Sequence, residues 1–224
     1  MLIRLGACGL AVALCVGCYD SGMQKVTAPG LLVAPADKAV LAIVGEESGG
    51  AMHRPVVNEA GHCVGWADWH SWFTANLPGG EQYLFLRLER DFSYSLFVAK
   101  LDLAAGKTYF LRSTVDEKGN DVLTPVRPGT AEWDRLDHLL KGGQQNLVDR
   151  PTCDGAIADQ SSMEAADWPN LQSSGKTLAQ NSPPILAQTD GVVWKGSALA
   201  SAPGAAPPAT PAPPPPKKHP PKRK

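Results

Sequence analysis

The sequence predicts a mainly β protein: a sandwich of about seven or eight short strands with one packed α-helix, between a disordered N-terminal tether and a disordered C-terminal tail. Three observations lead there. Between residues 38 and 126, short β-like runs are broken by turn signals at close spacing, the pattern of an all-β sandwich. Residues 130–143 carry the one credible set of helix punctuation and helical spacing. The last 28 residues hold ten of the 20 prolines, five basic residues and no acid, a composition that builds no core.

The formal net charge of −1 over 224 residues therefore conceals a division. Residues 18–196 hold 15 basic and 22 acidic side chains. An acidic body repels phosphate, so nucleic acid is not an expected partner. No apolar run reaches the ~18–20 residues of a spanning helix, which excludes a polytopic membrane protein.

Taken in order, Ala39-Val40-Leu41-Ala42-Ile43-Val44 is a continuous apolar run suited to a strand covered on both faces. Residues 45–55 read as a Gly-rich loop. Residues 56–58 and 63–66 flank Glu59-Ala60-Gly61-His62 as a hairpin, and 71–77 is a third strand ended by Pro78-Gly79-Gly80. Residues 81–87 carry aromatics on alternate positions, and 94–103 and 107–115 are separated by Ala104-Ala105-Gly106. In the latter run Tyr109, Leu111 and Ser113 share one face, and Thr108, Phe110 and Arg112 the other. Glu117-Lys118-Gly119-Asn120 then turns the chain into 122–126.

For the helix, Thr130 is a good N-cap after Pro128-Gly129, Glu132 and Asp134 lie in the first turn, and Gly142-Gly143 closes the far end. Trp133, Leu136, Leu139 and Leu140 form a stripe. A packing face on the sandwich is its plainer reading, a partner-binding face the other. Residues 144–196 are poor in apolar periodicity and read as irregular chain pinned by Trp168, Ile185-Leu186 and Val192-Val193-Trp194. From 197 onward the chain is expected to be disordered with polyproline character, about 3 Å per residue where extended. The expected organisation is signal 1–17, lipidated cysteine and tether 18–36, sandwich 37–127, helix and irregular extension 128–196, and basic Pro/Ala-rich tail 197–224.

At the amino end, Arg4 precedes an apolar stretch over 5–16, too short to span as a mature helix and suited to a secretory signal. Its ending, Cys15-Val16-Gly17-Cys18, resembles the lipobox of bacterial lipoproteins, in which a small residue precedes the cysteine that is acylated and becomes the new amino terminus. Cys15 departs from that pattern, where Leu or Val is usual, and as an acceptor it would follow Leu14, too bulky for the peptidase. Cys18 is thus the expected lipidation site; an ordinary cleaved signal with a chance cysteine is the alternative. Tyr19 stands where an Asp would retain the lipoprotein in the inner membrane, so the resemblance favours the outer membrane. Several acyl chains anchor durably because each buried methylene adds about 0.8 kcal/mol.

Cys8 and Cys15 would leave with the signal and Cys18 would carry lipid. Cys63 and Cys153 remain, an even pair in an oxidising compartment. A bridge between them is expected, worth about 4–5 kcal/mol in the chain-entropy model; two separate buried thiols are the bland alternative.

The central segment also resembles the small bacterial lipoproteins grouped as domain of unknown function 2846. The resemblance rests on the opening strand 38–44, the hairpin carrying Val64-Gly65, the turn Leu77-Pro78-Gly79 and the segment Ala105-Gly106-Lys107-Thr108-Tyr109-Phe110-Leu111-Arg112. It implies an immunoglobulin-like β-sandwich on an envelope lipoprotein and brings no catalytic residue. Residues 116–196 lie beyond the matched core.

Three constellations invite chemistry. His62, Cys63, Asp68 and His70 crowd together, but neither a closed zinc set nor H-E-x-x-H spacing is present, so no metal or other cofactor is expected. Trp66, Trp69 and Trp72 recur every third residue. Filling of the core by two of them is the plainer reading, an exposed platform for a sugar ring or lipid interface the other. No G-x-S-x-G elbow or Gly-rich phosphate cradle appears. Lys217, Lys218, Lys222, Arg223 and Lys224 put five positive charges on a proline-rich stem. They read either as a tether to anionic envelope polymers or headgroups, or as a solubilising end. The expectation is a lipid-anchored, non-enzymatic binding or scaffolding module of the cell envelope. A glycan-binding module using the tryptophan segment is the alternative, and an enzyme the third reading.

Overall fold

The run Ala39–Val44 needs cover on both faces, and the fold supplies it. The computed structural model describes residues 23–26, 32–45, 54–68, 70–90, 93–117, 121–160 and 168–194. Among the described residues ten strands form two sheets: β1 Met23–Lys25, β2 Lys38–Gly45, β3 Arg54–Asn58, β4 Cys63–Ala67, β5 Ser71–Pro78, β6 Gly80–Arg90, β7 Ser93–Leu103, β8 Thr108–Val115, β9 Asp121–Val126 and β10 Gln144–Val148. The first sheet has the order β1-β10-β5-β2-β8-β9, the second β4-β3-β6-β7. Three α-helices among the described residues follow or interrupt them: α1 Ala131–Gly142, α2 Arg150–Gln160 and α3 Trp168–Gln180.

β2 lies at the middle of the first sheet, antiparallel to β5 and parallel to β8. Its alternate residues Ala39, Leu41 and Ile43 point into the space between the sheets. There they meet Phe73, Tyr109 and Leu111 of their own sheet and Val56, Leu84, Leu86 and Leu101 of the other. This is the sandwich core. Ala42 and Val44 point the opposite way and are covered with Phe110 by Trp133 and Leu136 of α1. The helix stripe is therefore a packing face, and Thr130 caps the helix as expected, its hydroxyl accepting from the Trp133 N–H at 3.3 Å. The turn at Gly106 adopts φ +75°, open to glycine without a Cβ penalty.

The hairpin at 59–62 and the strands from 71 to 126 fall where the sequence places them, the β6–β7 ribbon being longer than expected. Two pairings, β2–β8 and β10–β5, are parallel, whereas immunoglobulin sheets are built antiparallel.

The larger correction concerns the flanks. Within the expected 18–36 tether, β1 pairs antiparallel with β10, and Leu32 is buried in the layer beneath α1. Met23-Gln24-Lys25 shows no apolar alternation, and its partner strand lies more than a hundred residues away, so only the tertiary fold makes it a strand. Within the expected irregular segment 144–196 lie β10, α2 and α3. This stretch wraps the sandwich. β10 inserts between β1 and β5, and α2 closes the side where β1, β10 and β4 end the two sheets, over Trp66, Met23 and Val148. α3 then crosses the outer face of the second sheet, where Ala179 packs with Ile157 of α2 on Val57, Tyr83 and Phe85. Residues 185–192 finally close the opposite side.

Candidate functional site

The densest polar and covalent contacts gather where α2 and α3 grip the β3–β4 hairpin. The Asn58 side chain organises the turn, its Oδ1 accepting from the N–H groups of Ala60 and His62 at 3.0 Å each. From α2, Asp154 reaches the end of the turn. Its Oδ1 accepts from the Cys63 N–H at 2.6 Å and its Oδ2 lies 3.3 Å from His62 Nδ1. Cys63 and Cys153 are joined as a disulfide with their Cα atoms 5.8 Å apart. The buried Trp66 indole N–H donates to Cys153 Sγ at 3.1 Å. From α3, Gln172 Nε2 donates to the Asn58 carbonyl at 3.2 Å and Lys176 pairs with Glu59 at 2.7 Å.

Lys176 also sits 5.1 Å from the centre of the Tyr83 ring. The Tyr83 hydroxyl donates to Glu81 at 2.6 Å, and Lys100 bonds both Glu81 at 3.1 Å and the Gln180 carbonyl at 2.7 Å. Burial, followed by the bond to the Glu81 carboxylate, pushes the Tyr83 phenol up to about 12. The same bond, with that from Lys100, holds Glu81 below the ordinary carboxylate value. This seam fixes α3 to the second sheet.

On the other side, residues 185–192 form a strap between the sheets. Ile185 N–H donates to the Lys100 carbonyl and Asp102 N–H to the Leu186 carbonyl, both at 2.8 Å, at the β7 edge. Thr108 and Val192 exchange two backbone bonds at the β8 edge, at 2.8 and 2.9 Å. Arg127 locks the strap, donating to the Ile185 carbonyl at 2.5 Å and pairing with Asp190 at 3.1 Å. The buried Tyr109 hydroxyl accepts from the Ala104 N–H at 2.7 Å and donates to the Gln188 carbonyl at 3.3 Å. Its burial raises the Tyr109 phenol above its ordinary value.

The sequence candidates are distributed as follows. Cys63 and Cys153 are together, so Cys63 is no metal ligand, and among the described residues no three His, Cys, Asp or Glu side chains cluster to hold a metal ion. The tryptophan platform is corrected: Trp66 is fully enclosed by α2, and Trp72 is buried with its N–H donating to the Leu140 carbonyl at 3.0 Å. Neither offers a ring face to a ligand. Trp69, Cys18 and the basic residues Lys217, Lys218, Lys222, Arg223 and Lys224 lie outside the described residues. Three aromatics that the spacing does not connect do meet on the outer face of the first sheet. Phe110 lies 5.6 Å from both Trp133 and Trp194, edge-on to the former.

The helices missed in the sequence leave faint marks. Asp149 and Pro151 open α2, with the Thr152 hydroxyl bonded to Asp149, and Pro169 lies in the first turn of α3, a position where proline is favoured. No family model, curated protein or solved structure matches the chain.

Proposed function

We propose that this protein is a lipid-anchored component of a bacterial cell envelope, acylated at Cys18 and acting as a non-enzymatic binding or scaffolding module. The observation that carries the reading is the fate of the cysteines. With Cys18 assigned to lipid, the two cysteines that follow it, Cys63 and Cys153, are bonded to each other, as suits a chain exported to an oxidising compartment. The apolar stretch and Gly17-Cys18 support the same address, and Tyr19 supports the outer membrane. The sandwich is in this reading a relative of the domain of unknown function 2846, with additions that wrap it.

The test is mass spectrometry of the mature protein together with fractionation of a Cys18→Ala variant. Acyl groups on an amino-terminal Cys18, and release of the variant from membranes, are expected. An unmodified mature chain that begins elsewhere would end the reading. Tyr19→Asp is expected to move the protein from the outer to the inner membrane fraction.

A further inference from the structure

Among the described residues the two sheets have four outer strands, β1 and β9 in the first, β4 and β7 in the second. An outer strand offers unpaired N–H and C=O groups to any other extended chain, and proteins blunt such edges by shortness, proline, charge or cover. β1 is three residues long. β9 contains Pro125, which has no N–H to offer. β4 lies against α2, and its Cys63 N–H is already taken by Asp154. β7 is different. It is 11 residues long, and over residues 93–99 it holds neither charge nor proline.

The Lys100 carbonyl and the Asp102 N–H point away from β6, since they bond Ile185 and Leu186 of the strap. The β6–β7 register is unbroken, and the direction of hydrogen bonding alternates along an antiparallel strand. Leu96 and Val98 therefore turn their main-chain groups the same way as Lys100. The strap does not reach them, because Pro183 and Pro184 precede Ile185. Among the described residues no main-chain group bonds the outward side of Leu96 or Val98.

On α3, Gly175 seats on this stretch of β7, where an added Cβ would come within 2.9 Å of both Leu96 and Val98. Lys176 lies over Tyr83 of β6. Leu178 stands about 200° round the helix from Lys176, on the flank that faces the open edge of β7. It is 79% exposed, more than any other large apolar side chain among the described residues.

We propose that this edge is the interface of a symmetric dimer, in which β7 of a second copy pairs antiparallel with β7 to join the two second sheets into one. A two-fold axis at Leu96 sets Leu96 opposite itself and Tyr94 opposite Val98, each with its main-chain groups turned to the partner. The uncharged run meets no like charge across the axis. The strap, which takes the edge from Lys100 onward, sets the end of the joined ladder. Both α3 helices then lie on one face of the joined sheet. Each rests over β6 and β7, so their axes stand about 10–14 Å apart at ~4.8 Å per strand. Leu178 of each copy faces that gap. A second copy thus accounts for the bare edge and the bare leucine together.

The test uses the full mature chain, purified from membranes in detergent. Its molar mass is measured by light scattering at micromolar concentration, with the detergent contribution subtracted, and twice the chain mass is expected. Hydrogen exchange of the segment 93–99, read by mass spectrometry, should be about tenfold slower in the dimer than after dilution to the monomer. Leu178→Lys changes an exposed side chain and sets two positive charges against each other, so it should weaken association about tenfold or more. Val98→Pro removes an N–H that β6 does not use and should abolish association. Circular dichroism checks that both variants fold, and if the proline variant does not, Leu178→Lys decides alone. A chain monomeric throughout overturns the proposal. So does a dimer whose segment 93–99 exchanges as fast as in the monomer, or one that Leu178→Lys leaves unchanged. Protection of that segment only by a peptide of another protein also overturns it. The interface needs no lipid, so a mature chain without acyl groups is expected to dimerise equally, and loss of the anchor leaves this result to be judged separately.

Discussion

Removing the disulfide by Cys63→Ala with Cys153→Ala is expected to cost the fold more than any single side chain. The two cysteines are 90 residues apart in sequence. In the chain-entropy account, a loop of that length removes enough freedom from the unfolded chain to stabilise the fold by about 4–5 kcal/mol. The variant also withdraws the sulfur that accepts from the Trp66 N–H, and a buried donor left unpaired costs about 1–3 kcal/mol. A chain of this size loses roughly 2–4 °C of midpoint per kcal/mol, so a fall of about 10–30 °C is expected. Thermal unfolding followed by far-ultraviolet circular dichroism would measure it, with wild type and variant scanned with and without a thiol reductant. Reductant should bring the wild type most of the way down to the variant, short of it by the bond that the reduced Cys153 sulfur still accepts from Trp66, and leave the variant where it is. A fall of less than about 3 °C would refute the reasoning, since it would mean that α2 holds β4 equally well without the covalent link.

Other substitutions probe the strap and the α3 seam. An added Cβ at Gly191 would come within 2.4 Å of the Tyr109 ring, so Gly191→Ala should lower stability by about 1–3 kcal/mol, measured as a urea midpoint; an unchanged midpoint would show that the strap is not seated on Tyr109. The Tyr83 phenol is raised from 10.0 to about 12. The fold therefore holds its proton where the unfolded chain has lost it: this contribution is full below pH 10 and lost as pH rises through 10 toward 12. Tyr83→Phe should flatten the alkaline fall in the urea midpoint, and parallel curves for variant and wild type would contradict it. Trp72→Phe removes the bond to the Leu140 carbonyl and should cost about 1 kcal/mol. Trp66→Ala should cost about 3–5 kcal/mol, and a sugar-binding defect from it with stability unchanged would contradict the burial.

How far the sequence is legible depends on whether a segment's neighbours lie close along the chain. Ala39–Val44, the hairpin at Glu59–His62 and the turn at Gly106 carry their instructions locally, in apolar content and turn chemistry. Thr130 and the stripe from Trp133 do the same for α1. β1 is three polar or flexible residues completed by a partner at 146–148. α3 turns Gln172 and Lys176 toward the hairpin and leaves Leu178 exposed, so its apolar residues do not mark its inward face. The pairing of Cys63 with Cys153 followed from parity and compartment, but its setting did not. Asp154, one residue beyond, closes the hairpin by binding the Cys63 N–H, and nothing in the local pattern at 154 announces that role. The spacing of Trp66 and Trp72 was compatible with display as well as burial. Burial prevails because α2 and the carbonyl of Leu140 meet their N–H groups inside.

The register of the first sheet has a mechanical consequence. A pull between residue 23 and residue 192 acts across the strands, along the direction of their hydrogen bonds. Ladders loaded that way open one after another, like a zipper, and do not share the load as they would when sheared along the strand axis. The first to open would be the pairings at the two loaded points, the two-bond bridge of Val192 to Thr108 and the three-residue β1 ladder. A sheet loaded in that direction is a poor cable: its outermost pairings yield while the central strands stay paired.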